Sequence, residues 1–499
     1  MELKLPHICF AFLCVFFAGW YFKHKSLPIT HWPLIGMLPT IVPNTNRLPE
    51  WFNDVFSSTG CGSFFIYGPV FSKLCYLVTC HPKNIEYILK TNFGNYPKGP
   101  DYGILFEILG DGIFKADYEF WRLQRKMVHS CLSSIDFRTL VAETCHKLVY
   151  YRLVPLLSHA AKEGVVVDIQ DVILRYFFDS NTSTILGGDE GYLSKDLPKN
   201  ELATALDEAQ EAILIRHTKP MFLWKTLRWL NIGREKQLSK AWITIDALLG
   251  EYISQRRESI RIDVPRKRPD LLSTFILDSS ENDKFMRDTV LSMFVAGLDT
   301  TTSGLIWFFW LVSRTPRVEA KILDELKLLL SKKGNPVNNR PHVFDPKDLK
   351  VLVYLHAALC ESLRLNAPLP MNSKAVKKED ILPDGTVVKP GMQIIISFYS
   401  EGKMQWIWGK DSMEFKPERW IDNEGKFNNE LMSNLFVFNT GPRSCLGKEI
   451  AFTQMKSAVA AILFNFHLEV VEGQDFGLRP FLNLLLQNGL KVRIKERVI

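Results

Sequence analysis

A mainly α-helical body with minor β-structure is what this chain predicts, on three observations. From about residue 82 to residue 330 apolar positions recur at helical spacing, with breaks around Gly187-Gly188, Pro220 and Pro265 to Pro269. Short apolar runs, Phe64-Phe65-Ile66 and Cys75-Tyr76-Leu77-Val78, flank Gly68-Pro69 and read as a small sheet. Strands return near Gly391 to Ser397 and Leu490 to Ile494. No internal repeat or low-complexity tract is present. The expectation is one large helical domain over residues 41–499, preceded by a short N-terminal element.

That N-terminal element has its own logic. Ile8 to Phe22 is almost wholly apolar and Lys23-His24-Lys25 follows directly. The run is shorter than the roughly 20 residues that span a bilayer, and Leu3 and Leu5 lengthen it. No small-x-small cleavage pattern precedes the basic cluster, so a single signal-anchor helix over residues 1–25 is expected rather than a cleaved leader. Positive charge stays on the cytosolic side, which puts Met1 in the lumen and the body in the cytosol. Leu27-Pro28 and Trp32-Pro33-Leu34-Ile35-Gly36 make residues 26–40 a stiff hinge.

Composition is that of a globular protein: 46% hydrophobic and 23% charged residues. A net charge of +7 suits an anionic membrane surface or an acidic partner and gives no argument for nucleic acid. The nine cysteines are scattered without a C-x-x-C pair, which favours a reducing, cytosol-facing body. Asn181-Thr182-Ser183 is a formal glycosylation sequon that goes unused there. Arg256-Arg257 and Arg266-Lys267-Arg268 read as a solvated basic run in a loop, and Ser331 to Pro341 as a connector.

The chemistry concentrates near Cys445. The segment Phe438-Asn439-Thr440-Gly441-Pro442-Arg443-Ser444-Cys445-Leu446-Gly447 sets one thiol in a glycine-containing turn, and a helical pattern runs from Lys448 through Ile462. Glycines permit the turn, and a helix N-terminus favours an anionic sulfur. This is the setting of a thiolate that ligates iron; a buried structural cysteine is the alternative reading.

Further constellations accompany it. The longest helical pattern begins near Lys284 and ends before Pro316, with Ala296-Gly297-Leu298-Asp299-Thr300-Thr301 at its middle. The small residues let a planar group lie against the helix. Thr300 can hydrogen-bond bound dioxygen while Asp299 links that point to water. Glu361 and Arg364 share a helical face, and Arg419 in Pro417-Glu418-Arg419-Trp420 can close a three-membered ion network with them, structural rather than catalytic. Trp121 and Arg125 project together at i and i+4, and Lys374 follows Arg364 by ten residues. Arg122, Lys126 and Lys448 are candidates for a basic face that meets an acidic electron donor. The chain has no G-x-G-x-x-G, Walker, H-E-x-x-H or G-x-S-x-G motif.

In this order the motifs resemble those of the cytochrome P-450 superfamily, over essentially the whole chain. The resemblance implies the cytochrome P-450 fold, with haem b held by Cys445 as axial thiolate. It implies propionate contacts from Arg443, Trp121, Arg125 and Lys374, and Phe438 and Gly441 on the proximal side. Dioxygen and NADPH are then co-substrates, with electrons delivered by a separate NADPH–cytochrome P-450 reductase and cytochrome b5 as a second candidate donor. The implied location is the endoplasmic reticulum membrane, single-pass.

Finer stretches are similar to the plant alkane and fatty-acid hydroxylase clan, midchain alkane hydroxylase branch. They are Asn95-Tyr96-Pro97-Lys98-Gly99, Leu109-Gly110-Asp111-Gly112-Ile113-Phe114, Trp307-Phe308-Phe309-Trp310 and Leu382-Pro383-Asp384-Gly385. That branch also includes enzymes that couple phenol rings in norbelladine-type alkaloid precursors. Leu298 stands where the branch has arginine, and Asn366-Ala367 where it has tyrosine-proline. By similarity the pocket walls draw on Asp101 to Ile113, Ala212 to His217, the helix before Thr300, Met371 and Leu482 to Leu484. The leading expectation is C–H hydroxylation of a long-chain aliphatic or specialised metabolite. Oxidative phenol coupling without oxygen insertion, a non-catalytic haem sensor or carrier, and a peroxide-using isomerase are the alternatives.

Overall fold

The computed structural model describes residues 5–70, 72, 74–262, 270–278, 283–333, 341–479 and 482–497. The break at Pro265 to Pro269, the Arg266-Lys267-Arg268 run and most of the 331–341 connector lie outside the described residues.

The helices that matter below are α1 (Leu5–His24), α2 (Leu48–Thr59), α3 (Tyr118–Ser133), α4 (Ile169–Asn181), α5 (Glu201–Thr218), α6 (Gly233–Ile262), α7 (Asp283–Ser313), α8 (Val353–Leu365) and α9 (Lys448–Asn465). The strands are β1 (Ser63–Tyr67), β2 (Cys75–Thr79), β3 (Val166–Asp168), β4 (Met371–Ala375), β5 (Gln393–Ser397), β6 (Phe466–Val470) and β7 (Lys491–Glu496). Two compact units result: Met1–Pro97 with Met371–Gly409, and Lys98–Pro370 with Lys410–Ile499.

The first unit is built on a four-stranded sheet of order β1-β2-β5-β4. β1 and β2 form an antiparallel hairpin, β2 and β5 run parallel, and β4 closes the sheet antiparallel to β5. Alternation along β1 sends Phe64 and Ile66 inward, where Trp51, Phe52, Val55 and Phe56 of α2 meet them. Near Gly36 the chain is held close to the end of β1 by its backbone. Gly36 takes φ +65, and a Cβ there would lie 2.3 Å from the Gly68 carbonyl oxygen, so only glycine fits. α1 leaves Phe12, Phe16, Phe17 and Phe22 exposed.

The second unit centres on α7, 31 residues long and so about 46 Å from end to end. Its length and apolarity would suffice to cross a membrane, but two-thirds of its most apolar stretch is buried in protein, which makes it a core helix. The Lys284-to-Pro316 pattern located it well. A three-stranded antiparallel sheet of order β3-β7-β6 flanks this unit.

Several expectations need correction. Arg256 and Arg257 are not in a loop but on α6, where Arg256 bonds Asp270 and Ser273, and Arg257 pairs with Asp283 at 2.7 Å. The helix runs on because its apolar stripe, Ile245, Leu249, Ile253 and Ile260, continues past them. The sequon's Asn181, expected to go unused, ends α4 and is buried, its side chain donating to the Phe294 carbonyl at 3.4 Å, so no glycan can be attached to the folded chain. Strands β3, β4 and β6 went unforeseen. Each is short, and only pairing with a distant strand distinguishes it from helix or loop.

Candidate active site

The Cys445 loop is shaped by backbone geometry. Gly441 takes φ +66, the left-handed region a side chain resists, and starts the turn. The Ser444 N–H donates to Gly441 O at 3.1 Å and the Cys445 N–H to Phe438 O at 2.8 Å. Helix α9 then begins with Gly447 as its N-cap residue. Gly447 itself has φ −89, and a Cβ there would sit 3.9 Å from the sulfur, an ordinary contact. Of the two glycines flanking the cysteine, only Gly441 is required by its backbone.

Burial pushes the Cys445 thiol up, opposed by the N–H groups of Gly447 and Lys448 and by the charges of Arg125 and Lys448. Yet Cys445 is open by surface area. Phe438 lies beside it, half-buried, its ring 5.4 Å from Phe452 and with the Lys448 ammonium 5.7 Å above it.

On α3, Trp121 is buried between two guanidinium groups, Arg443 at 4.6 Å and Arg125 at 5.8 Å from its ring centre. Arg443 donates to Asp117 Oδ1 and to the Ala116 carbonyl, both at 2.6 Å. Its Nε is buried with no partner among the described residues. Arg125 reaches Ser444 Oγ at 3.2 Å, which brings its charge to bear on the sulfur. Sequence reasoning missed Asp117, which also accepts from the N–H groups of Lys98 and Gly99 at 3.2 Å. Lys374 belongs to the first unit, where it is buried on β4 with its ammonium 5.4 Å from the Phe93 ring centre.

Between Asp288 and Phe309 of α7 every residue is buried except Met293, Val295, Ala296, Gly297 and Thr300, which are partly exposed. Positions 293, 296 and 300 share one helical stripe, so the partial exposure is concentrated on one face of the helix. The Thr300 hydroxyl donates to the Ala296 carbonyl at 2.6 Å, leaving its oxygen free to accept. Gly297 serves a purpose other than the one expected: a Cβ would lie 3.0 Å from the Asn181 amide on α4, so its smallness lets two helices approach. The loop at Gly110 and Gly112 behaves similarly, since Cβ atoms there would strike Asp288 and Ser292 of α7.

Asp299 also corrects the expectation. It does not open to water: it is 1% exposed, and its Oδ2 accepts from Gln210 Nε2 of α5 at 2.5 Å. Burial raises its pKa to about 7, the Gln210 hydrogen bond opposing the rise. Gln210 was missed because its link to Asp299 spans 89 positions of chain.

The expected ion network forms as drawn. Glu361 and Arg364 on α8 are fully buried and joined by two bonds of 2.8 Å, and Arg419 Nε reaches Glu361 Oε1 at 3.3 Å. Trp420 Nε1 adds a bond of 2.9 Å to Glu361 Oε2, and Arg364 also donates to Ser412 O at 2.7 Å. The expectation had not included Trp420.

The donor set fits a haem. Among the described residues no group of three His, Cys, Asp or Glu side chains could hold a metal ion. Iron at Cys445 must therefore bring its other ligands with it, as a porphyrin does. The orphaned Arg443 Nε and the partly exposed stripe of α7 suit an anionic edge and a flat face.

The family model described as Cytochrome P450 matches residues 27–495. The chain is 37% identical to alkane hydroxylase MAH1 of Arabidopsis thaliana, covering 99% of each chain. It is 38% identical to Cytochrome P450 86B1 of the same plant, covering 96% of this chain and 87% of that one. It is 36% identical to noroxomaritidine synthase 2 of Narcissus aff. pseudonarcissus MK-2014, covering 100% and 97%. The solved heme domain of cytochrome P450DA superposes with a TM-score of 0.76 at 18% identity, covering 94% of this chain and 97% of that one, which shows a shared fold. The thiol-bearing loop, the helical core and these likenesses converge: the chain belongs to the cytochrome P450 family of haem-thiolate oxidoreductases, which use dioxygen and NADPH electrons passed on by a reductase.

Proposed function

We propose that this protein is a membrane-anchored monooxygenase of the endoplasmic reticulum that hydroxylates a C–H bond of a long-chain aliphatic or amphipathic metabolite. The carrying observation is the Cys445 sulfur, held under the first amides of α9 with the Arg125 and Lys448 charges acting on it. The haem, when bound, supplies the oxidising power that removes hydrogen from carbon and returns hydroxyl. Cys445 would hold its iron, and Arg125 would steady the negative sulfur. Arg443 would offer its unpartnered Nε to an anionic edge of the haem while Asp117 fixes the direction of the guanidinium. Trp121 keeps both arginines in place, and Phe438 shields the sulfur from water. For Lys374 the support is a cation buried on β4. Thr300 offers an accepting oxygen on the partly exposed face of α7 and Asp299 the proton. Glu361, Arg364 and Arg419 hold α8 to the segment bearing Trp420.

The aliphatic reading is supported by the likeness to an alkane hydroxylase over the full chain. The anchor reading is supported by α1, whose 20 residues make about 30 Å of helix with exposed phenylalanines. NADPH–cytochrome P-450 reductase is the expected donor. Its docking face excludes Arg122 as a free charge, since that side chain pairs with Glu119.

A second reading, phenol coupling, has its own support. Tyr102 and Phe106 stack at 4.3 Å, and His217 meets Phe106 edge-on at 5.4 Å. His217 Nδ1 bonds the Ile213 carbonyl, which leaves Nε2 as an acceptor for a phenolic hydroxyl. Isotope-labelled dioxygen separates the two readings. Labelled oxygen in the product of microsomes carrying this chain and reductase supports hydroxylation; an unlabelled, ring-coupled product from a phenolic precursor sinks it.

A further inference from the structure

The buried carboxyl of Asp299 is held by an amide rather than by a cation. Gln210 Nε2 donates to Asp299 Oδ2 at 2.5 Å, and the other end of the same amide, Oε1, accepts from Asn483 Nδ2 at 3.3 Å. All three side chains are buried. The segment carrying Asn483 is itself fixed to α7, because Ser303 Oγ and Trp307 Nε1 both donate to the Leu484 carbonyl, at 2.7 and 2.8 Å. Asn483 therefore sets which way the Gln210 amide points, and Gln210 sets which Asp299 oxygen is an acceptor. The remaining oxygen, Oδ1, has no partner among the described residues.

We propose that Gln210, oriented by Asn483, is a positioning residue that reserves Oδ1 of Asp299 as the atom from which a proton is given. With Oδ2 already accepting an N–H, a proton on this carboxyl is favoured on Oδ1. An amide leaves it there, whereas a cation in the same place would hold the carboxylate ionised. The charged groups acting on Asp299 come from two elements, Asp207 on α5 and Arg479 in the segment before Asn483. They largely offset each other, since Arg479 is itself paired with Asp207 at 2.9 Å and with Glu211 at 2.8 Å. The carboxyl titrates close to neutrality because burial disfavours its charge, with the Gln210 hydrogen bond opposing the rise.

This inference rests on the proton-donor role proposed above for Asp299. Two readouts on the full-length holoprotein test it: the infrared carboxylic-acid band, assigned by its loss in Asp299→Asn and followed with pH, and peroxide released per NADPH with reductase and hexadecanoic acid as probe. Gln210→Met keeps the volume and removes the amide. It should move the band's midpoint to higher pH, because the lost hydrogen bond had favoured the ionised form, and raise the peroxide share severalfold. Asn483→Leu should act in the same direction and less strongly, while Gln210→Glu, which restores an acceptor but no fixed donor, should not rescue. If Asp299→Asn leaves the peroxide share unchanged, the donor role falls and this inference with it. If Asp299→Asn raises that share but Gln210→Met moves neither readout, the inference alone is overturned.

Discussion

The Cys445 N–H donates to the Phe438 carbonyl at 2.8 Å, so Phe438 and Cys445 are the two ends of one closed loop. Gly441, with φ +66, is the point at which the chain turns inside that loop. The pair explains why these residue types sit at fixed spacing: a longer or stiffer connection would carry the sulfur away from the amides of Gly447 and Lys448.

Loss of the sulfur should abolish the thiolate signature. Cys445→Ser is expected to lose the thiolate-type Soret band of the reduced carbon monoxide complex. Gly441→Ala should retain that band at reduced haem occupancy, at a cost of about 1–2 kcal/mol for forcing a side chain into the left-handed region. Haem content per protein, with the reduced difference spectrum, checks both.

The buried ion network predicts an asymmetry between breaking and replacing it. Glu361→Gln leaves Arg364 buried without its counter-charge and should cost about 3–5 kcal/mol. Replacing both partners together, Glu361→Leu with Arg364→Met, should be less harmful than the single change, since no isolated charge remains. Denaturant unfolding of the ferric protein reads the difference; equal losses would mean that the pair contributes packing alone.

Asp299 makes a prediction about stability and pH. Its carboxyl sits near 7 in the folded chain against an ordinary 3.8, so folding takes up a proton between those values. The raised value favours the folded state at low pH, and that advantage is lost as pH rises from about 4 through about 7. Asp299→Asn cannot ionise and should lack this slope. The stability of the variant relative to the parent should therefore grow across the window by up to about 4 kcal/mol, at about 1.4 kcal/mol per pKa unit. Parallel stability curves would show that Asp299 is not held neutral.

Thr300→Ala should leave haem binding intact and divert NADPH into peroxide. If Thr300 takes the role proposed above, loss of its hydroxyl should slow proton transfer on the order of a hundredfold in productive turnover. Product per NADPH is the measurement, and unchanged coupling would remove Thr300 from the proposed path.

Deletion of residues 1–25 should release the protein from alkaline-washed microsomes. The exposed phenylalanines of α1 are then absent, and a chain that still pellets would have to carry its membrane attachment elsewhere.

Much of the site was legible in the sequence because it is local. The Cys445 loop, the Glu361–Arg364 pair and the Asp299-Thr300 step each depend on neighbours a few positions apart, so spacing alone describes them. Arg419 was within reach because its motif is distinctive. Residues joined across long stretches of chain were not: Gln210 and Asn483 beside Asp299, Asp117 beside Arg443, and Trp420 on Glu361 are ordinary polar or aromatic residues until the fold brings them together. The purposes of particular glycines were likewise hidden. Gly297 accommodates Asn181, and nothing near residue 297 in the chain announces it.

By itself the sequence determined that this protein is mostly helical, that one cysteine lies in a glycine-containing turn just before a helix, and that a long central helix carries an acid beside a hydroxyl. Periodicity and short-range spacing carry that information. Only the tertiary structure decided that the acid is buried and near neutral, that an amide rather than water or a cation holds it, and that the arginine beside the cysteine is steered by an aspartate on another segment. Those features depend on desolvation and on contacts across hundreds of residues, and both arise only when the chain has packed.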